Sequence, residues 1–226
     1  MRLILTAAAA AVTLSSPAFS QDLYGHVFGG YSAIQDPNFT GVVTPPGGQQ
    51  SVDTRFGGGY NIGAAFGKSL PSLDFGSFRV RGEVELSYNT DDVDQIFFSG
   101  NGPAAEVNVA GDISTTRVFG NLIADLPTGG SFTPYAGFGL GVASTSTNLI
   151  YGPGVRLDDR SEGVTAQLIL GTSYALSDNL SLTGDVRYIR DFSVDVPRFN
   201  PAGGLTGTVS DDIGSVNVNV GLRFGF

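Results

Sequence analysis

The single histidine of the chain, His26, is the first residue to consider for chemistry. The chain has no cysteine, which excludes a disulfide scaffold and a cysteine-ligated metal site. A catalytic site that pairs a nucleophile with an imidazole base would therefore depend on His26. No serine motif with the spacing of a nucleophile elbow accompanies it. We therefore expect no catalytic site, no cofactor and no resident metal.

A run of alternating charges offers a second kind of chemistry. Arg79, Arg81, Glu83 and Glu85 recur at every second position of the segment FRVRGEVELSY. If that segment is a β-strand, the alternation places all four side chains on one face. Basic and acidic groups arranged in this way either pair with one another or line a narrow polar conduit.

An acidic cluster, Asp91, Asp92 and Asp94, offers hard oxygen ligands for a divalent cation. The cluster lacks the later glycine and glutamate of an EF-hand loop. Two interpretations stay open, a hydrophilic connection between strands and a Ca²⁺ or Mg²⁺ site.

The overall charge narrows the class of partner. The chain has 12 basic and 21 acidic residues and a net charge of −9. Nucleic-acid binding needs a basic footprint, so we expect no nucleic-acid partner. Only one basic residue, Lys68, is a lysine, which is unusual for a surface that meets water.

The N-terminus has the pattern of an export signal. A short basic start precedes an apolar run over residues 3–14, and Ala-Phe-Ser at residues 18–20 supplies the small residues of a cleavage site. This pattern predicts a secretory signal peptide over residues 1–20 and a barrel domain over residues 21–226. The alternative is a buried N-terminal helix. The apolar run is too short to span a bilayer as a helix.

From residue 21 onward, apolar and polar residues alternate with a period of two, which is typical of β-strands. Eight segments follow this pattern, at about residues 23–32, 57–67, 78–88, 115–126, 133–143, 164–176, 180–189 and 215–226. Three connections between them are short. The other four are long, over residues 33–56, 89–113, 144–163 and 190–212. The pattern predicts an all-β fold, an eight-stranded antiparallel up-and-down β-barrel.

Alternation leaves open which face is inside. In a soluble, lipocalin-like barrel the apolar face points inward, whereas in a membrane barrel it meets lipid. The scarcity of lysine favours lipid, and so does the length of the segments, which matches the 9–11 tilted residues of a membrane strand. Aromatic residues also cluster at both ends of the segments, as at two membrane interfaces. They are Phe66, Phe78, Tyr174, Phe224 and Phe226 near the short connections, and Tyr31, Tyr60, Tyr88 and Tyr188 toward the long ones.

Three stretches resemble small outer-membrane barrels of Gram-negative bacteria, the porin family or OmpA-like transmembrane domains. They are FTPYAGFGLGVA (132–143), LSDNLSLTGDVRY (176–188) and VNVGLRFGF (218–226). The resemblance implies a monomer in the outer membrane, exported through the periplasm, with outer-membrane lipid and lipopolysaccharide as partners. The closing pattern is similar to the signal that such barrels present to the β-barrel assembly machinery. Its residues are Val218, Val220, Leu222, Phe224 and Phe226.

The interior of an eight-stranded barrel is just wide enough for side chains. We therefore predict that charges on the inner face pair across the lumen and plug it. The predicted network is Arg79, Arg81, Glu83, Glu85, Arg117, Asp185, Arg187 and Arg223. This predicts a structural role or surface interactions through acidic loops. The alternative is a narrow porin-like channel for small polar solutes.

Two further alternatives concern the cell surface. The long connections carry aromatic residues that suit an adhesin, namely Phe39, Phe97, Phe98 and Tyr151. Some barrels of this kind are lipid A-modifying enzymes, which here would require His26. Alternation places His26 in the lumen near the short connections, whereas lipid A lies at the opposite end.

Overall fold

In the computed structural model, residues 23–35, 38–43, 48–100, 109–151, 155–199 and 205–226 are described. Their side chains are described over residues 23–35, 57–92, 112–146, 161–192 and 212–226. The predicted signal peptide, residues 1–20, lies outside the described residues.

Nearly all of the described chain is β-strand. The strands are β1 (Leu23–Ile34), β2 (Asn38–Val43), β3 (Gly48–Ser69), β4 (Arg79–Gly100), β5 (Val109–Asp125), β6 (Phe132–Tyr151), β7 (Val155–Ala175), β8 (Leu180–Phe199) and β9 (Leu205–Gly225). A single 3-10 turn, Pro71–Leu73, lies between β3 and β4. No helix within the described ranges is long and apolar enough to cross a membrane.

The strands close into an antiparallel barrel. From β3 to β9 each strand pairs with its successor, and β1 closes the ring by pairing with both β3 and β9. β2 pairs with the first part of β3, on the same edge that β1 occupies further along. β1 and β2 therefore lie end to end as one interrupted barrel strand. The predicted eight-stranded up-and-down barrel is confirmed.

The strands are much longer than predicted, and the expectation of four long connections was wrong. Most of the residues in those connections continue the strands, with pairing along β4 to Gly100 and along β6 to Tyr151. Paired hairpin strands satisfy each other's backbone groups wherever they extend. Beyond a bilayer both faces of a strand meet water, so the hydrophobic alternation that reveals a strand in the sequence disappears.

The apolar face of the barrel points outward. Val84, Leu140 and Leu170 are 65%, 63% and 69% exposed on the outer surface. The buried side chains of the described residues are mostly polar or charged and face the lumen. This inside-out arrangement is that of a membrane barrel and excludes the lipocalin-like alternative.

Exposed aromatic side chains lie on the outer apolar surface of the barrel, at the end that is farther from the short connections. Tyr31 and Tyr60 are paired across β1 and β3, and both are more than half exposed. Gly58, next to a β-bulge in β3, has a positive φ of 87°, and its surface is covered by the Tyr31 hydroxyl. A side chain at Gly58 would be strained and would collide with that ring. The β-bulge of β3 therefore lies next to Tyr31 and Tyr60, which we call the aromatic row.

Candidate functional site

The first cluster in the lumen surrounds Arg81, near the short connections. The Arg81 guanidinium pairs with Glu83 and lies 2.9 Å from Asp125. It also donates to the Tyr24 hydroxyl at 2.8 Å, and that hydroxyl donates to Glu83 at 2.7 Å. Because these residues come from β1, β4 and β5, the bonds tie strands together across the lumen.

The second cluster surrounds Arg187, one layer further along the barrel axis. Arg187 lies 2.7 Å from Glu85 and 2.7 Å from Asp185, and these three side chains are at most 3% exposed. The guanidinium carbon lies 4.0 Å from the centre of the Phe28 ring, within cation–π distance. The positive charge of Arg187 is thus surrounded by two carboxylates and the face of an aromatic ring.

Neutral donors complete the bonding of both carboxylates in the second cluster. Asn121 and Gln167 donate to Glu85 at 2.7 and 3.3 Å. Tyr135 and Asn219 donate to Asp185 at 3.0 and 2.9 Å. Buried carboxylates are stable only when such hydrogen bonds accompany the ion pair.

We refer to these two clusters together as the turn-side network. Its members are Tyr24, Phe28, Arg81, Glu83, Glu85, Asn121, Asp125, Tyr135, Gln167, Asp185, Arg187 and Asn219. They come from all barrel strands except β3, whose inner positions are small. A Cβ at Gly63 would collide with the Phe28 ring, and one at Gly67 would collide with Tyr24. The small residues of β3 therefore make room for the aromatic rings that fill the lumen.

The network ends at a polar mouth near the short connections. Arg223 donates to Ser173 at 3.1 Å and lies 3.9 Å from Asp125. A cavity of about 240 Å³ opens here, lined by Tyr24, Arg81, Asp125, Asp178 and Arg223 among others. The opening reaches Arg81, which forms its floor.

Arg79 does not belong to this network, contrary to the prediction. It has the inward parity of Arg81, but it lies at the barrel rim with its side chain 66% exposed, and it pairs with Asp74 at 3.0 Å. β4 begins at Arg79, where β5 is paired beside it but β3 has already ended, so the side chain is enclosed on one side only. Asp74 also accepts the Val80 N–H at 2.7 Å, and these two interactions lower the pKa of Asp74.

We refer to the lumen beyond Arg187 as the outer lumen. Its ion pair is bidentate: Arg117 donates to Asp191 at 3.0 and 2.6 Å, which links β5 to β8 across the barrel. Its other inner positions are mostly small polar residues, interrupted by the buried apolar side chains of Ile113, Ile189 and Ile213. The small polar residues are Ser32, Asn61, Ser87, Asn89, Asp91, Thr115, Thr145, Thr165, Ser215 and Asn217.

The described residues do not support the cation-site interpretation of the acidic cluster. β4 continues through it, so Asp91 faces the lumen at 2% exposure while Asp92 is exposed on the outer surface. Strand alternation therefore separates the two carboxylates. The side chain of Asp94 lies outside the described residues. No group of three His, Asp or Glu side chains that could hold a metal is present in the described part of the chain.

His26 lies in the enclosed lumen, at 4% exposure. Its Nε2 atom is 3.0 Å from the Thr183 hydroxyl, and its ring is tilted against Phe28 with 5.3 Å between ring centres. The barrel wall separates this pair from the lipid outside.

Several partners in the network were missed from the sequence. Asp125 lies inside the predicted segment 115–126 with the inward parity of Arg117, and Asp191 lies two residues beyond the segment 180–189 with the parity of Arg187. Following the alternation would have found both. Tyr24 and Phe28 have the inward parity of His26 in the predicted segment 23–32, but they were not among the predicted members of the network. They are large because the facing positions of β3 are glycines.

The residues of the proposed assembly signal lie on the last strand. Val218, Val220, Leu222 and Phe226 are exposed outward on or next to β9, and Phe224 is half-buried beside Gly25. The aromatic residues proposed for adhesion, Phe39, Phe97, Phe98 and Tyr151, have side chains outside the described residues.

The sequence of the chain matches a known family of outer-membrane proteins. Residues 5–224 match the model of the outer membrane protein beta-barrel domain family. No curated protein sequence gives a significant match.

Solved structures share the fold at low sequence identity. Neisserial surface protein A is 16% identical, with a TM-score of 0.52 over 92% of this chain and 98% of that one. The outer membrane protease OmpT from Escherichia coli is 10% identical, with a TM-score of 0.55 over 94% and 99%. The outer membrane protein OprG from Pseudomonas aeruginosa is 16% identical, with a TM-score of 0.50 over 89% and 95%. At these identities the likeness shows the fold alone.

Proposed function

The chain belongs to the outer membrane protein beta-barrel domain family, and we propose that it is a closed, non-enzymatic barrel that supports interactions at the cell surface. Membership of this family implies a location in the outer membrane of a Gram-negative bacterium.

The turn-side network is the observation that carries the proposal of a closed lumen. It spans the lumen with ion pairs and hydrogen bonds from seven strands. Arg187 and Glu85 at its centre are 3% and 1% exposed, and their charges are bonded to each other and to further protein groups. A solute would have to break several charged hydrogen bonds at once to pass, and each is costly to leave unmade.

The long strands support a role on the outer side. Hairpins such as β3–β4 and β6–β7 keep pairing well beyond the aromatic row at Tyr31 and Tyr60. We propose that this extension holds the acidic segments above the membrane, next to lipopolysaccharide. Divalent cations would mediate contact between two anionic surfaces of this kind.

The closed sheet supports a monomer that assembles through its last strand. Among the described residues, β1 and β3 to β9 are each paired on two sides, and β2 pairs with β3 alone, so the ring closed by β1 offers no free edge to another chain. We propose that the β-barrel assembly machinery reads β9 before closure, through the alternating outward residues that end at Phe226.

His26 supports a structural role in this proposal. It bonds to Thr183 inside the lumen, and the wall around it keeps lipid A away. If His26→Ala changed the lipid A profile of cells that express the protein, the non-enzymatic assignment would be wrong.

A liposome swelling assay tests the closed lumen. The full chain is refolded into vesicles, and entry of glycerol, a neutral amino acid and a small sugar is followed by light scattering. We expect swelling at the rate of protein-free vesicles. Faster swelling that depends on solute size would support the narrow porin-like channel instead.

A further inference from the structure

The connection between β3 and β4 folds back against the outer wall of the barrel. A methyl group of Leu70 lies 3.2 Å from the position that a Cβ on Gly82 would take, and Gly82 has the outward parity of Val84. Leu70 also donates its N–H to the carbonyl of Val80 at 2.7 Å. Val80 shares the outward parity as well, yet it is 4% exposed, whereas Val84 is 65% exposed. Residues 70–78 therefore form a raised edge on the lipid-facing wall.

An apolar groove lies between this edge and the wall. Its volume is about 380 Å³, and its lining comes from strands β4 to β7 and from Phe75 of the connection. Ala124 and Ala136 are direct partners on β5 and β6, and their short side chains leave space above them. The next row of outward residues carries larger side chains, namely Leu122, Phe138 and Leu168. The groove therefore has a floor of small residues and bulky walls.

The position of the groove selects what can fill it. Ala124 is next to the last residue of β5, and Val80 is next to the first residue of β4, so the groove lies at the turn end of the wall. In outer-membrane barrels the short turns are on the periplasmic side. The groove therefore faces the acyl chains of the periplasmic leaflet. Left unfilled, it would deprive its lining of dispersion contacts on one side, and a flexible acyl chain restores them.

Arg79 lies at the edge of this groove. It precedes Val80, which lines the groove, and its Nη1 atom donates at 3.0 Å to Asp74, which precedes Phe75 in the groove lining. The Arg79 side chain is 66% exposed. A guanidinium carries five N–H donors, so the bond to Asp74 leaves others for a phosphate oxygen.

The single lysine of the chain lies in the same region. Lys68 is exposed and is the direct partner of Gly82 on β4, and Gly82 is the direct partner of Leu122 in the groove wall. Of the side chains that the structure describes, the only exposed basic ones are Lys68, Arg79 and Arg190. Arg190 is at the level of the outer lumen, next to Asp191 in the chain. Both exposed cations of the turn end are therefore close to the groove.

We propose that this groove binds one phospholipid of the periplasmic leaflet, with an acyl chain over Ala124 and Ala136 and the phosphate bonded to Arg79 and Lys68. The apolar lining matches the chain, and the two cations match the negative phosphate. Asp74 offsets part of this positive charge and holds the Arg79 guanidinium at the groove. The site goes beyond the proposed function: it is on the outer wall, and it holds for a closed or a conducting barrel.

Native mass spectrometry tests the site by counting the lipids bound to each barrel. The full chain, refolded in a neutral detergent, is titrated with dipalmitoyl phosphatidylglycerol and with dipalmitoylglycerol, which has the same chains and no phosphate. We expect one phosphatidylglycerol to bind more tightly than any later one. Ala136→Leu, which fills the groove, should weaken that binding at least about tenfold. Ala64→Leu makes the same change at an exposed position of β3 outside the groove and should leave the binding unaltered.

The phosphate contact is tested separately. Lys68→Gln combined with Arg79→Gln should weaken the binding of phosphatidylglycerol by roughly three- to tenfold and leave that of dipalmitoylglycerol unaltered. Arg190→Gln, far from the turn end, should change neither. If the double variant weakens both lipids equally, or neither, the phosphate contact is wrong.

Stepwise binding with no tighter first lipid would overturn the proposal, and so would equal affinities of Ala136→Leu and Ala64→Leu. A dimer that Ala136→Leu abolishes would give the groove to a second copy of the chain and would likewise contradict lipid binding. If Ala136→Leu does not fold, Ala124→Leu fills the groove from the neighbouring strand and must show the same loss.

Discussion

The turn-side network and the outer lumen lie in the same barrel but differ in the number of their ion pairs. In the turn-side network each carboxylate has an arginine, and neutral donors such as Asn121 and Tyr135 add to the pairing. In the outer lumen a single ion pair, Arg117–Asp191, crosses the barrel among the described residues. Buried polar atoms without a described partner occur in both halves, for example Gln167 Oε1 on the turn side and Asn61 Oδ1 in the outer lumen. Ion pairing therefore decreases along the barrel axis toward the outer side.

Side-chain size explains the difference. Long arginines and the aromatic rings of Tyr24, Phe28 and Tyr135 fill the turn-side half, so their polar ends reach partners on distant strands. Serine, threonine and asparagine share the outer half with Ile113, Ile189 and Ile213. Apart from Arg117–Asp191, the bonds across it join small side chains, such as Asn89 to Asn217 at 3.3 Å. The first half can close a pore, and the second has fewer charged contacts to do so. The following changes probe this contrast.

Removing Arg187 should have the largest effect. Arg187→Met leaves Glu85 and Asp185 buried without a counter-charge, which should cost about 3–5 kcal/mol of unfolding free energy. The chain has no tryptophan, so urea unfolding is followed by circular dichroism in lipid vesicles.

The matched control is Arg190→Met on the outer surface of the same strand. Arg190 pairs with Asp212 at 3.0 Å, but both side chains are substantially exposed, at 50% and 32%. Such a pair contributes less than about 1 kcal/mol. Equal losses for the two variants would show that burial of the network adds nothing.

Removing Arg117 should cost less than removing Arg187. Arg117→Met leaves one buried carboxylate, Asp191, unpaired instead of two, so we expect about 2 kcal/mol. A double-mutant cycle with Asp191→Asn measures the coupling of this pair. A loss larger than that of Arg187→Met would reverse the comparison between the two halves.

A single added methyl group should distinguish a tightly packed half from the lipid-facing wall. In Gly63→Ala the new Cβ collides with the Phe28 ring, and we expect a loss of about 1 kcal/mol. In Gly120→Ala the new Cβ lies 3.9 Å from its nearest neighbour, on the outer face, and stability should not fall. If Gly63→Ala is as stable as Gly120→Ala, the turn-side half has spare volume.

Replacing Asp74, at the barrel rim outside the turn-side network, should have the smallest effect on stability, and this effect should depend on pH. The Val80 N–H and the Arg79 guanidinium lower the pKa of Asp74, so its contribution to stability is complete above the usual aspartate pKa of about 3.9. That contribution is lost as the pH falls through the lowered pKa of the folded state. Asp74→Asn should therefore be slightly less stable at neutral pH and equal to the unaltered protein in strong acid. A difference that grows toward low pH would contradict this assignment.

The sequence predicted the barrel where the environments of the two strand faces differ. Residues 78–88 and 215–226 alternate because one face meets lipid and the other a polar lumen, and both segments lie in barrel strands. Outside the membrane that contrast vanishes, so the extensions of β4 and β6 were taken for loops.

The same limit explains which parts of the site were missed. Asp91 was placed in a loop, with a cation site as one of two interpretations, because the strand signal had ended before it. Arg79 has the parity of the inward-facing residues, but parity does not show where the barrel wall that encloses such side chains ends. Partners such as Tyr24 with Glu83, which are 59 positions apart in the chain, depend on barrel closure, which no local pattern contains.

Single-channel recording in planar bilayers tests the closed turn-side network most directly. We predict that the refolded protein gives no steady conductance steps in concentrated KCl. A steady conductance that changes when Arg81 or Glu83 is neutralised would contradict the account, because ions would then be passing through the network that is proposed to close the lumen.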